Sequence, residues 1–587
     1  MSRGRGGPDI GALLAADEVE KWGALTVPNP KGEPTAEEKE KLRALKTEEK
    51  KSKDALLETI LARLADPKLK KDKVRKALDA AAKALGEAAA ESALRPFWLD
   101  PPSGTRDFEP AEMRVRNWLF GEMRATAKEF GFQEYDAPVL EHVELYERKA
   151  GEEIGQQMYC FTDKEGARVT LRPEMTPSLA RMVLNLTNMA TGEVRANLPL
   201  KWFSIPQCWR FETTQRGRKR EHYQWNMDIV GEPGVAAEAE LLAAVARFFS
   251  RIGVGPDVVG IRVNSRRVLD VAVAKAGVPK SKFARVCVII DKLDKIGACA
   301  VKELLTDASG EDPLALPAET ADVILACLAA GSVDEFAAAA GLPRTDPAIA
   351  ELGQLFELAE SYGVRDYLDF DASVVRGLAY YTGVVFEAFD KKGELRAIAG
   401  GGRYDRLLEL YGGEKCQIPC CGFGFGDCVV VELLKERGLL PDARPKVDAM
   451  VAPFDASMQG PAVSVAAALR KAGLGVDAAL AACKARKAFD VASRRGARLV
   501  AFVGPGEWSR GLVRIKDMVV KDPTSDPVDG IQVDVPFAEL SAVVAKMEAA
   551  ARAVGAAWVP LGVSTAASAS AASGPAAGAV LASGNGV

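Results

Sequence analysis

Between Lys201 and Gly231 the chain reads KWFSIPQCWRFETTQRGRKREHYQWNMDIVG, and its second half alternates polar with apolar residues. His222, Gln224, Asn226 and Asp228 point one way; Tyr223, Trp225, Met227 and Ile229 point the other, the pattern of an extended strand. Asn and Asp are poor strand formers. A row of them beside Arg210 reads either as a polar site floored by sheet or as a solvated antiparallel face. Four positive charges fall within the five residues Arg216–Arg220. Such a loop suits a polyphosphate or an RNA end, and equally a plain solvated loop. The chemistry on offer is the handling of anions, because a guanidinium stays charged and its planar fork can grip two oxygens at once.

These residues need elements to hold them. A strand rich in aromatics ends at Trp209-Arg210-Phe211-Glu212, and a polar loop through Gly217 returns the chain as a second strand. Upstream, Val115, Leu119, Met123 and Ala127 predict an amphipathic helix leading into EFGFQEYDAPVLE, with Pro138 at the strand turn. Downstream lie VVRGLAYYTGVVFEAF and AIAGGGRYDRLLELYGG. Gly400–Gly402 lack the Gly-Lys-Ser/Thr of a phosphate loop; they let a backbone approach closely or relieve a tight turn. Residues 266–365, rich in Ala and Leu, predict a helical insertion within a domain spanning 96–435. From 445 to 555 strands and helices alternate in the βαβ rhythm of a separate small domain with parallel strands. Basic residues outnumber acidic ones about two to one between Lys446 and Lys521, which fits contact with RNA phosphates. Residues 1–37, rich in Gly and Pro, are expected to be poorly ordered, as is the uncharged Ala/Ser/Gly tail 563–587. Residues 38–95, broken at Pro67, predict a helical hairpin with Leu56, Ile60 and Leu64 as a weak stripe. That hairpin is either a solvated appendage or an auxiliary RNA-binding arm.

A chain of 587 residues is too long for one core, and a prior of ~150 residues per domain gives about four units. The net charge of -4 excludes a polycation, so any nucleic-acid contact must be local. Ten cysteines are scattered without a CxxC pair, and only His142 and His222 could join them, which argues against zinc and for free thiols in a reducing compartment. No apolar run of the roughly 18 residues needed to span a bilayer occurs. The N-terminus lacks a secretory core, and Asp9, Asp17, Glu18 and Glu20 argue against a transit peptide. Cytoplasm is the expected location, with organellar import left open.

The WRFE–loop–Q–D hairpin resembles motif 2 of class II aminoacyl-tRNA synthetases, and EFGFQEYDAPVLE resembles motif 1, which in that class builds a homodimer interface. TLRPEMTPSLAR, the Arg-Gly-Leu-Ala-Tyr-Tyr string and the Gly-Gly-Arg-Tyr-Asp string are similar to segments peculiar to histidyl-tRNA synthetases. The likeness runs from about Arg95 to Ala550. It implies an α/β (α+β) protein: a class II antiparallel-sheet catalytic domain with a helical insertion, a C-terminal α/β anticodon-binding domain and an N-terminal helical extension. It further implies ATP-dependent activation of L-histidine and transfer to tRNA-His. Glu174, Thr176 and Gln224 match positions around the substrate ammonium, Met175 is a further histidine-binding position, and Asp228, Tyr380 and Tyr381 match the imidazole contacts. A site of such polar groups rejects apolar amino acids of similar size by about 10⁴-fold or more. Arg210 would hold the α-phosphate, with Glu212 beside the nucleotide. Arg376 would clamp carboxylate and α-phosphate where other enzymes place a metal, and Arg218 would reach the γ-phosphate. Mg2+ would bridge the β and γ oxygens without a protein site of its own. One departure stands out: Val429 occupies the place of the arginine that ends class II motif 3 and stacks on adenine. Two other readings stay open, an inactive synthetase-like sensor or regulatory subunit and a class II enzyme for another amino acid.

Overall fold

The computed structural model describes residues 14–25, 36–64, 70–94, 99–148, 152–290, 292–309, 314–374, 380–442, 447–522 and 529–542. Arg376 and the tail 563–587 lie outside them. The chain divides into two compact units, Met1–Ser103 and Gly104–Val587.

In the first unit the helices Ala16–Ala24, Ala36–Leu64 and Lys71–Leu94 enclose a small core of Trp22, Leu57, Ile60, Val74 and Leu78. Composition assigns 1–37 to a poorly ordered arm, yet residues 16–24 are helical. The reason is tertiary. The Trp22 ring enters the core while its Nε1 donates to Asp79 at 2.8 Å. Glu18 accepts two bonds from Arg63, each 2.7 Å.

The second unit is built on a nine-stranded sheet. Its strands are β1 (Gln133–Glu134), β2 (Leu200–Ser204), β3 (Gln207–Trp209), β4 (Glu221–Val230), β5 (Val259–Ser265), β6 (Leu368–Phe370), β7 (Val384–Asp390), β8 (Ala399–Arg403) and β9 (Cys420–Gly426). They run in the order β1–β2–β4–β9–β8–β7–β5–β6, and β3 pairs with the first residues of β4. Neighbours are antiparallel except β1 with β2 and β5 with β6. The apolar face carries Trp225, Met227, Phe423 and Phe425. Against it lies the helix Ala236–Arg251, whose Phe248 centroid is 5.2 Å from Trp225 and 5.0 Å from Phe425. Each ring buried there stabilises the fold by about 1.5–3 kcal/mol, which fixes which face of β4 is left for the polar residues. The amphipathic helix extends over Pro110–Glu129, with Leu119 and Met123 in the same core. Helices between Arg266 and Ser361 continue that core without a break, since Val268, Leu305, Phe336 and Leu352 join one cluster with Trp225.

At the end of β8 the Arg403 guanidinium is buried with the Glu238 carboxylate, at 2.5 and 2.6 Å. The carbonyls of Glu232 and Gly234 and the Asp405 carboxylate accept its remaining protons. This ties the sheet to the N-terminal turn of the helix behind it.

The C-terminal region has a five-stranded sheet. Val476–Ala478, Ala449–Pro453 and Leu499–Val503 are parallel, as the βαβ rhythm predicts, and Leu512–Asp522 and Asp529–Pro536 complete it antiparallel.

Candidate active site

The polar face of β4 lies opposite β9, and the register explains the glycines of GFGFG. Gly422 pairs with Asp228, Gly424 with Asn226 and Gly426 with Gln224. A Cβ at Gly422 would collide with Oδ1 of Asp228, and one at Gly424 with Nε2 of Gln224. The bare strand therefore gives the β4 side chains room to lie across it. In the sequence the signal was present, since glycine recurs at every second position between apolar residues. The partner strand, about 200 residues away, was not legible there.

Asp228 is buried at 2% exposure, and its Oδ1 accepts a 2.5 Å bond from Tyr404. Tyr404, the tyrosine of the Gly-Gly-Arg-Tyr-Asp string, is the residue that sequence reasoning passed over. The Tyr380 ring stands edge-on to it at 6.0 Å and lies 4.8 Å from Tyr381. Tyr135 and Trp202 pack on the same cluster. Asp228 thus lies against a cluster of aromatic side chains. Glu174, Met175 and Thr176 are buried at the start of the helix Thr176–Asn185. The Glu174 carbonyl accepts from Tyr146 at 3.2 Å.

Arg210 links that turn to an open cleft. Its Nε donates to the Pro173 carbonyl at 2.9 Å, one residue before Glu174. The cleft is lined by Arg210, Glu212, Arg218, Lys219, His222, Gln224, Arg396 and Val429, with glycines at 217, 400, 424 and 426. The loop 216–220 is not uniformly cationic. Arg216 turns away to Glu432 and Glu436. Arg218 pairs with Glu212, and Arg220 lies 4.0 Å over the Phe211 ring. Gly217 takes φ +71 and rests on Val429, whose Cγ2 lies 3.2 Å from where a Cβ at 217 would stand. The next cations along the helix Asp427–Arg437 are engaged elsewhere, Lys435 with Glu432 and Arg437 with Asp390. Arg376, the other arginine of the sequence argument, falls outside the described residues; of its flanks, Val374 and Tyr381 belong to the cluster around Tyr404 and Tyr380 packs against it.

His222 also lines this cleft. Burial, then the charges of Arg210, Arg106 and Arg218, push its pKa down to about 3. A folded-state value below the ordinary ~6.5 means that the unfolded chain binds the proton more readily. The stabilisation is complete above about pH 6.5 and declines as pH falls from there toward about 3. His222→Gln is expected to flatten the fall in urea midpoint between pH 7 and pH 5.5. An unchanged fall would show that other groups carry it.

Mainly antiparallel sheets with a polar ligand face on their middle strands form the catalytic domains of class II aminoacyl-tRNA synthetases, and a solved structure has this fold. The crystal structure of histidyl-tRNA synthetase from a Nostoc species superposes with a TM-score of 0.61 at 24% identity, over 77% of this chain and 100% of that one. The family described as histidyl-tRNA synthetase matches residues 104–426, and an anticodon binding domain matches 448–547. A histidine–tRNA ligase of Arabidopsis thaliana, named as chloroplastic/mitochondrial, is 50% identical over 419 residues, 71% of this chain and 83% of that one. The histidine–tRNA ligase of Opitutus terrae is 37% identical over 429 residues, 73% and 96% of the two chains. The chain belongs to the histidyl-tRNA synthetase family.

Proposed function

We propose that this protein activates L-histidine with ATP and loads it onto tRNA-His. The observation that carries the reading is the layout of one strand. Gln224 faces the cationic cleft and Asp228 the aromatic cluster, where an imidazole slot would lie, on the same face of β4 and about 13 Å apart at ~3.3 Å per residue. That spacing suits a substrate pair with an imidazole at one end and a triphosphate at the other.

In this reading Asp228 accepts from an imidazole nitrogen, with Tyr380 and Tyr381 as walls and Tyr404 holding the carboxylate in place. Glu174, Thr176 and Gln224 take the ammonium, and Met175 packs beneath. The histidine carboxylate attacks the α-phosphorus; the new P–O bond forms as the bond to the β-phosphate oxygen breaks and pyrophosphate leaves. Two anions must meet, so the site must screen their repulsion and stabilise the phosphoryl oxygens. Arg210, held on the Pro173 carbonyl, does this, and Arg376 shares the task. A terminal ribose hydroxyl of the tRNA then attacks the activated carbonyl and AMP departs. Arg218 exchanges Glu212 for the γ-phosphate. Magnesium would come with ATP and supply positive charge against the departing pyrophosphate; Glu212, the one carboxylate among the cleft residues, is the residue that would hold it. The tRNA binds through the anticodon-binding domain.

A homodimer would form through the motif 1 region, where β1 is an edge strand and Val139 and Leu140 are 38% and 43% exposed. Sedimentation at micromolar concentration tests it. No described helix is long and apolar enough to cross a membrane. Cell fractionation decides between cytoplasm and the organelles named for the Arabidopsis relative.

ATP–pyrophosphate exchange with each amino acid tests the whole reading, and exchange with histidine alone is expected. No exchange, with histidine or tRNA still bound, would leave a sensor or regulatory protein. Exchange with another amino acid would reassign the slot. Within the slot, Asp228→Ala is expected to raise the Kd for histidine by roughly 10- to 100-fold, the loss of a charge-assisted hydrogen bond. ATP binding should stay within about twofold, given how far the slot lies from the cleft. Titration of the two ligands separately decides it; equal losses would remove Asp228 from the imidazole site.

A further inference from the structure

Val429 leaves the outer wall of the cleft without a cation from the helix that follows β9, and the fold has placed one beside it. Arg396 lies three residues before β8, in the segment that runs along the end of β9. The Ile398 carbonyl accepts from the Gly426 amide at 3.1 Å, so this segment is fixed against the strand end from which Val429 follows. Arg396 and Val429 line the same cleft. No hydrogen bond or ion pair of Arg396 is found among the described residues, whereas Arg210 and Arg218 are both engaged. Burial and the neighbouring charge of Arg218 weigh against its protonated form, and Glu212 opposes them only in part. Two guanidinium groups so placed repel each other until an anion comes between them.

We propose that Arg396 grips the phosphate chain of the bound nucleotide, a cation brought into the cleft by the segment that leads into β8. Val429 instead lies close under the loop, since a Cβ at Gly217 would stand 3.2 Å from its Cγ2. The inference rests on the nucleotide reading of this cleft.

Equilibrium titration separates the two. Wild-type protein that binds no ATP would end both. Given wild-type binding, Arg396→Ala is expected to weaken ATP and inorganic pyrophosphate about tenfold or more, the loss of a charge-assisted contact. Adenosine should bind as before, within about twofold, because it carries no phosphate to lose. Arg396→Lys should recover part of the ATP affinity, since it keeps the charge and loses the fork. Histidine affinity should not change, and the melting temperature should not fall, since the variant removes a repulsion. Unaltered ATP binding in Arg396→Ala would overturn the proposal. So would equal losses for adenosine and ATP, which would put the guanidinium on the purine ring.

Discussion

Arg210→Ala is expected to lower the rate of histidine-dependent ATP–pyrophosphate exchange by roughly 10²- to 10³-fold, about 3–4 kcal/mol of barrier. The magnitude follows from where the side chain stands. Its Nε is committed to the Pro173 carbonyl, which leaves the outer nitrogens of a positioned, permanently charged fork toward the cleft. Nothing has to reorganise when charge develops on the phosphoryl oxygens, and that is the condition under which such a donor contributes most. Losing the Pro173 bond should cost only about 0.5–1.5 kcal/mol of stability, so the variant should remain folded by circular dichroism. Arg376→Ala is expected to abolish adenylation in the same way with the fold intact. The pair can then be tested for convergence. If both arginines act on one phosphorus, the double variant should lose much less than the sum of the two barriers, because groups acting as a unit are not additive. Full additivity, or an active Arg376→Ala, would separate them.

The second large effect concerns stability. Arg403→Ala should destabilise the catalytic domain by about 3–5 kcal/mol, the usual cost of leaving one partner of a buried ion pair alone. Both side chains are only 1% exposed, so water cannot replace the lost guanidinium. Burial already raises the Glu238 pKa, and Arg403 is what opposes that shift. In the variant Glu238 must either take up a proton or stay charged in an apolar setting. The deficit should therefore shrink at lower pH, where protonation of Glu238 is easier. Arg403→Met with Glu238→Leu should recover much of the loss, because two apolar groups have no such debt. Thermal unfolding followed by tryptophan fluorescence measures all three. A loss under about 1 kcal/mol would mean that water reaches the pair.

Local pattern carried a large part of this protein. Strict alternation from His222 to Ile229 gave the strand and its polar face. The helical spacing of Val115, Leu119, Met123 and Ala127 gave the helix beside it, and the motif strings gave the family and the order of the domains. These succeed because periods of two and 3.6 residues are properties of a single segment. The loop 216–220 shows the limit. Its composition says polycation, but Arg216 and Arg218 are already paired with carboxylates, one set of them more than 200 residues away.

What the sequence by itself determined is which residues share a face of their own strand or helix, and hence the kinds of chemistry available. Only the tertiary structure decided which faces meet: that Gly422 and Gly424 clear the space for Asp228 and Gln224, that Tyr404 holds Asp228, and that Arg396 stands beside Val429. The physical reason is that strand pairing is set by hydrogen-bond register and core packing between segments far apart in the chain, and no local period encodes them.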